Sequence, residues 1–314
     1  MEERWSTRLL LLAVTAIAPI AWGSTYFVTA TYLPPDRPLF AALVRALPFG
    51  LVLLLVRRQL PHGDWWWRAG LLGVINIGAF FALIFVAAYR LPGGLAATLT
   101  ATSPLLVALL AWLLVKERPT PGALAGAVLG VVGVALLVLR AGFTVDPVGV
   151  AASLSAVTLF ALGMVLVKRW RPPVDMVTFT SWQLVAGGLV IAPVALVVEG
   201  APPAVDAAAV GGYLYIGVVG TVIAYGVWFA GIGRLPATAV ALVGLLNPVS
   251  GTVIGVSLAG EAFGVVQVVG TLLVLSGIAL GQVRRPRPAA APATAARGDE
   301  HAPVVGAAVG GARE

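Results

Sequence analysis

Apolar residues in this chain run in long unbroken blocks, separated by short stretches that hold most of the charged residues and many of the prolines. Each block is roughly 17–25 residues, the length a helix rising 1.5 Å per residue needs to cross about 30 Å of hydrocarbon. A membrane barrel would instead show alternating segments of about ten residues. The pattern predicts an all-α integral membrane protein with ten transmembrane helices, at 9–30, 38–56, 69–89, 94–115, 121–139, 147–167, 176–198, 210–233, 237–259 and 264–283. The first block exceeds the apolar core of about 7–15 residues found in cleaved signals, so it reads as a span.

The chain also repeats itself. Arg90-Leu91-Pro92 returns as Arg234-Leu235-Pro236, 144 positions on, and the same offset matches Gly73 with Gly217, Pro104 with Pro248, Glu117 with Glu261, Gly126 with Gly270 and Gly133 with Gly277. Earlier in each half the offset is 138, pairing Pro34-Pro35 with Pro172-Pro173 and Gly50 with Gly188. The predicted organisation is an amino-terminal segment 1–8, a five-helix repeat 9–139, a linker 140–146, a second five-helix repeat 147–283 and a disordered tail 284–314 rich in Pro, Ala and Gly. An odd number of spans per repeat makes the second enter the membrane from the opposite side. Inverted repeats of this kind recur in secondary transporters.

Composition agrees: 60% of residues are hydrophobic, 11% are charged and the mean hydropathy is +0.99, whereas soluble domains carry about a quarter charged residues. The net charge of +7 reads as orientation rather than nucleic-acid binding, because near the span ends fourteen Lys and Arg fall on one side against Arg37, Arg90 and Arg140 on the other. Both termini are then cytoplasmic, in the cell inner membrane. There is no cysteine, which removes disulfides and thiolate metal sites, and no phosphate-cradling G-x-x-x-x-G-K-[ST] run. No cofactor is expected.

The segments "AWGSTYFVTATYLPPDRPLFAALVRALPFG", "TSPLLVALLAWLLVKERPTPGALAGAVLGVVGV" and "LNPVSGTVIGVSLAGEAFGVVQVVGTLLVLSGIAL" resemble the drug/metabolite transporter superfamily, EamA type. The similarity covers essentially residues 9–283, and the "AWGSTYFVTATYLPPDRP" and "FVAAYRLPGGLAA" segments are most similar to its PecM-type branch. The resemblance implies an exporter of amino-acid-like, aromatic or pigment-type metabolites, with spans five and ten peripheral. The glycines along those two spans suggest close helix contact, within one chain or between two copies of a homodimer.

Arg45 is the charged side chain well inside a span, about seven residues or roughly 10 Å from its end. Such a charge faces the bundle interior or a watery cavity. It serves either as a fixed cation for an anionic solute or as a tie to carbonyls freed at a broken helix. Its repeat counterpart is Gln183. Pro104 and Pro248, following Ser103 and Asn247 in spans four and nine, predict paired helix kinks facing a central site. Trp22, Tyr26, Asn76, Phe80, Trp182, Tyr225 and Trp228 supply candidates for an aromatic, weakly polar wall. Glu117 and Glu261 fall just past span ends, where a carboxylate complements the start of the next helix.

The spans hold no Asp, Glu or His, so proton relays are not supported. The same absence disfavours an intramembrane enzyme, whose chemistry requires positioned bases. A non-transporting sensor is the other alternative.

Overall fold

The structure, a computed structural model, describes residues 2–90, 99–138, 146–259 and 264–282. Among these every regular element is helical: α1 (Glu2–Tyr32), α2 (Pro38–Arg57), α3 (Trp65–Gly73), α4 (Phe80–Arg90), α5 (Ser103–Val115), α6 (Pro121–Val138), α7 (Pro147–Trp170), α8 (Met176–Glu199), α9 (Ala207–Gly217), α10 (Ala224–Arg234), α11 (Ala237–Val243), α12 (Leu246–Ala259) and α13 (Val265–Gln282). The expected tail 284–314, linker residues 140–145 and Glu261 lie outside the described residues. The expected amino-terminal segment is, from Glu2 onward, the opening of α1.

Among the described residues eight stretches are long and apolar enough to cross a membrane, and two shorter apolar helices, Ser103–Val115 and Pro121–Leu136, lie within the remaining expected spans. Many large apolar side chains face outward, among them Leu55, Val56, Val197 and Leu272. In water this would be unfavourable; in hydrocarbon it is the low-energy arrangement.

Local chemistry sets the helix ends. Asp146, Asp175 and Asp206 precede α7, α8 and α9, and each accepts hydrogen bonds from the backbone N–H groups of the first turn, which have no partner within the helix. Arg58, Lys116 and Arg171 adopt left-handed backbone at the ends of α2, α5 and α7, placing positive charge where the helix dipole is negative.

Glycines bring repeat-equivalent helices together. A Cβ on Gly277 would lie 2.5 Å from Gly126 O, and one on Gly133 would lie 2.7 Å from Gly270 O. These contacts run antiparallel along α6 and α13, and they exchange into each other under the repeat. The glycine faces of spans five and ten are therefore used within one chain, leaving the outer faces around Val128 and Leu272 exposed. Likewise α2 and α8 run antiparallel, with a Cβ on Gly50 2.8 Å from Leu184 Cβ and one on Gly188 2.7 Å from Leu47 Cβ. The early helices also cross between halves: α1 packs on α10 and α12, α3 on α8, and α4 on α7.

The interruptions in spans four and nine differ from the expected proline kinks. The chain turns at residues 101–102 and again at 244–245, so the break falls just before Ser103-Pro104 and before Leu246-Asn247-Pro248. Pro104 then sits in the first turn of α5 and Pro248 in that of α12, where the missing backbone N–H costs no helical hydrogen bond.

Candidate functional site

Two helices leave regular α-geometry at corresponding positions. The backbone winds as a π-helix over Val74–Ala79, between α3 and α4, and over Val218–Ile223, between α9 and α10. The two segments are 144 residues apart, the offset of the repeat. A π-turn bonds i to i+5, so one residue more than usual is looped into the turn, a distortion frequently found at functional sites.

Each π-segment receives a polar side chain from the other half. Arg45 on α2 donates from Nε to Thr221 Oγ1 and from Nη2 to Gly220 O, both at 2.9 Å. The Thr221 hydroxyl donates in turn to Ile216 O at 2.8 Å. Trp22 Nε1 donates to the same Gly220 carbonyl at 2.9 Å. Reciprocally, the counterpart of Arg45, Gln183 on α8, accepts at Oε1 from Asn76 Nδ2 at 2.6 Å. Asn76 has room because residue 163 is glycine: a Cβ there would fall on Asn76 Oδ1. Gln183 Nε2 is buried without a partner among the described residues, as is Trp228 Nε1.

The rings form a closed circuit around these groups. The Arg45 guanidinium lies 4.9 Å above the Phe81 centroid, Phe81 is 5.8 Å from Phe80, and Phe80 is 5.6 Å from Phe160. Phe160 continues to Trp228 at 6.1 Å, and Trp228 to Trp22 at 5.1 Å. Trp22 closes on Arg45 through Gly220 O, and Tyr225 flanks Trp22 at 5.2 Å. A cation held on an aromatic face with polar donors beside it suits an aromatic or amphipathic anion.

Of the residues proposed from the sequence, Arg45, Trp22, Phe80, Tyr225 and Trp228 meet in this circuit, with Asn76 and Gln183 forming the reciprocal pair. Trp182 is drawn elsewhere, donating from Nε1 to Gln59 O at 2.7 Å and packing on Trp65. Asn247 adjoins the wall through its backbone, its carbonyl packing on Gly23. Ser103 makes no hydrogen bond or ring contact to the circuit among the described residues. The Tyr26 side chain lies outside them. Gly220, Thr221, Phe81 and Phe160 were not proposed, although Gly220 is the repeat counterpart of Asn76 and pointed to the second segment.

The model of the EamA-like transporter family matches residues 9–139 and again 147–281. Protein PecM of Dickeya dadantii is 40% identical over 267 residues, 84% of this chain and 90% of that protein. The chain belongs to the EamA-like transporter family. A probable amino-acid metabolite efflux pump of Salmonella typhimurium is 26% identical over 275 residues, 82% of this chain and 90% of that protein. A crystallographically solved chain superposes with a TM-score of 0.74 at 20% identity, covering 87% of this chain and 96% of that one, a likeness of fold alone. This EamA-like protein is a multi-pass membrane transporter.

The two ends of the transporter bundle are also tied across the halves. At the end bearing Arg8, Glu117 Oε1 accepts from Ala237 N at 2.9 Å while Oε2 pairs with Lys168, whose Nζ donates to Leu235 O at 3.0 Å. Glu117 thus caps the start of α11 in the opposite half, not the next helix as expected; Thr120 serves there, accepting from Ala123 N at 3.1 Å. At the other end Glu199 accepts from Leu39 N at 2.6 Å and Phe40 N at 2.9 Å, and its backbone carbonyl accepts from Arg37. Each end holds a cavity, of about 440 Å³ beside Glu117 and about 590 Å³ beside Glu199.

Proposed function

We propose that this EamA-like protein is a secondary transporter that exports small organic metabolites, amino-acid-like, aromatic or pigment-type, by alternating access. The observation that carries the reading is the Arg45 guanidinium, held inside the bundle on Gly220 O and Thr221 Oγ1 and edged by the rings of Phe81, Phe80, Phe160, Trp228 and Trp22. A carboxylate is a stronger acceptor than a hydroxyl or a peptide carbonyl. A solute carboxylate therefore takes over donors that Arg45 now gives to the second half, while its apolar part lies on the rings. The similarity to an amino-acid metabolite efflux pump supports the solute class.

Ten spans in two inverted repeats, 9–139 and 147–283, suit this mechanism. The antiparallel contacts of α6 with α13 and of α2 with α8 support the inversion, since equivalent helices of two parallel repeats would run the same way. The Lys and Arg excess supports cytoplasmic termini, including segments 1–8 and 284–314, in the inner membrane. The ties at Glu117 and Glu199 then act as gates: one must open for each side to be exposed.

Flux in proteoliposomes tests the proposal, with a panel of aromatic amino acids, other amino acids and a planar pigment, wild type beside a folded Arg45→Gln variant. Flux confined to carboxylate-bearing solutes and lost in the variant is expected. Undiminished flux in the variant removes Arg45 from the site, and no flux for any solute removes the carrier assignment for these solutes.

A further inference from the structure

The cavities at the two ends differ in charge. The larger is balanced: Arg37 and Arg90 face Asp36 and Glu199, and Arg90 also pairs with Asp146 at 3.2 Å. Among the described residues the smaller is lined by Arg8, Arg118, Lys168 and Arg234 with Glu117 as the acid, whose carboxylate is already held by Lys168 and Ala237 N. The repeat sharpens the contrast. Arg234 is the counterpart of Arg90, and the residue corresponding to Asp146 at the offset of 138 is Arg8. Where one end has a cation beside a carboxylate, the other has two cations lining one cavity, and Arg234 has no ion pair among the described residues. The cytoplasmic excess of Lys and Arg accounts for how many cations lie at this end. It does not account for their gathering around about 440 Å³ of concave space with the equivalent acid replaced by a base.

We propose that this cavity is an anion-binding site, separate from Arg45, that takes a carboxylate or phosphate group between Arg118, Arg234 and Lys168, with the Thr120 and Thr238 side chains in the lining. The anion comes either from a small aqueous solute or from the headgroup of an acidic phospholipid. Clustered cations with low-dielectric walls concentrate such anions, and the effect weakens with salt. The site requires neither transport nor the solute reading above.

A reporter can be placed inside it cleanly. The chain has no cysteine, and a Cβ at Gly233, in the cavity wall, meets nothing within 4 Å. Full-length Gly233→Cys protein carrying an environment-sensitive dye, in phosphatidylcholine nanodiscs at low ionic strength, is titrated with benzoate in one arm and with increasing phosphatidylglycerol in the other. Benzamide is the uncharged control. A saturable response to at least one anion and none to benzamide is expected; the arm that responds identifies the source. In the Arg118→Gln/Arg234→Gln background the half-saturation point rises about tenfold, in keeping with the loss of charge-assisted contacts. Should the double variant lose its folded melting transition, each single variant is read instead, with a rise of about threefold. No saturable response in either arm, or a response that the substitutions leave unchanged, overturns the proposal.

Discussion

The guanidinium of Arg45 and the hydroxyl of Thr221 lie 2.9 Å apart and belong to opposite halves of the chain. The same is true of Asn76 and Gln183, 2.6 Å apart, so each half inserts a polar side chain from its second helix into the wound segment of the other's third. The ties at Glu117 and Glu199 cross in the same way. Any motion of one half against the other must exchange some of these contacts. The central pair is unequal: one clasp carries a full charge and the other is neutral.

If a solute carboxylate competes with Thr221 and Gly220 for Arg45, weakening the internal partner strengthens the external one. Thr221→Val removes the hydroxyl acceptor and is expected to lower the half-saturation concentration for an aromatic amino acid by a factor of about 10–150, from a hydrogen bond to a charged group worth roughly 1.5–3 kcal/mol. Thr221→Ser keeps the hydroxyl and should match wild type. Concentration-dependent flux in proteoliposomes measures both. Poorer affinity in Thr221→Val with normal folding would reject competition and make Thr221 a simple support for Arg45.

Asn76 depends on the absence of a side chain at Gly163, and the two should couple. Gly163→Ala drives a methyl onto Asn76 Oδ1, displacing the amide from Gln183. An overpacking cost of about 1–3 kcal/mol is expected, read as a lower thermal midpoint in detergent. In an Asn76→Ala background the space is vacated, so adding Gly163→Ala should cost much less than it does alone. Additive losses would mean that the two positions do not share this contact.

Much of this arrangement was legible from residue patterns and part was not. Eight of the ten expected spans match helices long and apolar enough to cross a membrane among the described residues, because hydrocarbon thickness fixes how many residues a helix needs. The repeat followed from Arg, Pro, Gly and Glu recurring in one register. The π-winding left no such trace: along the sequence Val74–Ala79 and Val218–Ile223 read as continuous with the spans that hold them. Trp182 and Trp228 looked alike in sequence, yet one is taken by Gln59 O and the other joins the circuit. Phe81 and Phe160 were indistinguishable from packing residues until Arg45 and Trp228 were seen against them. Glu117 was read as serving its neighbouring helix because only local partners are visible along a chain.

Asp175 offers a test by pH. Partial burial alone would raise its carboxyl, but hydrogen bonds from the Thr178 side chain, the Arg57 guanidinium and the Thr178 and Val177 backbone outweigh it, holding the group at about 2 against an ordinary 3.8. The folded state thus prefers the ionised form. Its contribution is complete above roughly pH 4 and fades as pH falls through about 2. Asp175→Asn keeps a helix cap but cannot ionise, so its thermal midpoint should lie below wild type at neutral pH and converge on it near pH 2. Asp175→Ala loses the cap as well and should cost about 1 kcal/mol at every pH above that window. A gap between wild type and Asp175→Asn that does not change with pH would show that the charge is not what matters.

Glu117 joins three elements with one carboxylate: its own segment after α5, Lys168 at the end of α7 and the backbone start of α11. If alternating access operates, this tie must break whenever the end bearing Arg8 opens. Glu117→Ala removes both contacts and, among the described residues, leaves Lys168 its bond to Leu235 O. The closed form should then lose about 1–3 kcal/mol relative to the open one, the range for removing one hydrogen-bond partner and leaving the other unsatisfied. Opening can be followed with a single cysteine at Thr238, a position buried in the closed arrangement at 4% exposure and lining the cavity. Its rate of modification by a membrane-impermeant maleimide should rise about tenfold in Glu117→Ala, as a shift of about 1.4 kcal/mol requires, while a cysteine at exposed Gly233 should react at the same rate in both backgrounds. A conservative Lys168→Arg change preserves the ion pair and should leave Thr238→Cys protected. Equal modification of Thr238→Cys with and without Glu117 would show that the tie fixes a loop and does not hold the end shut.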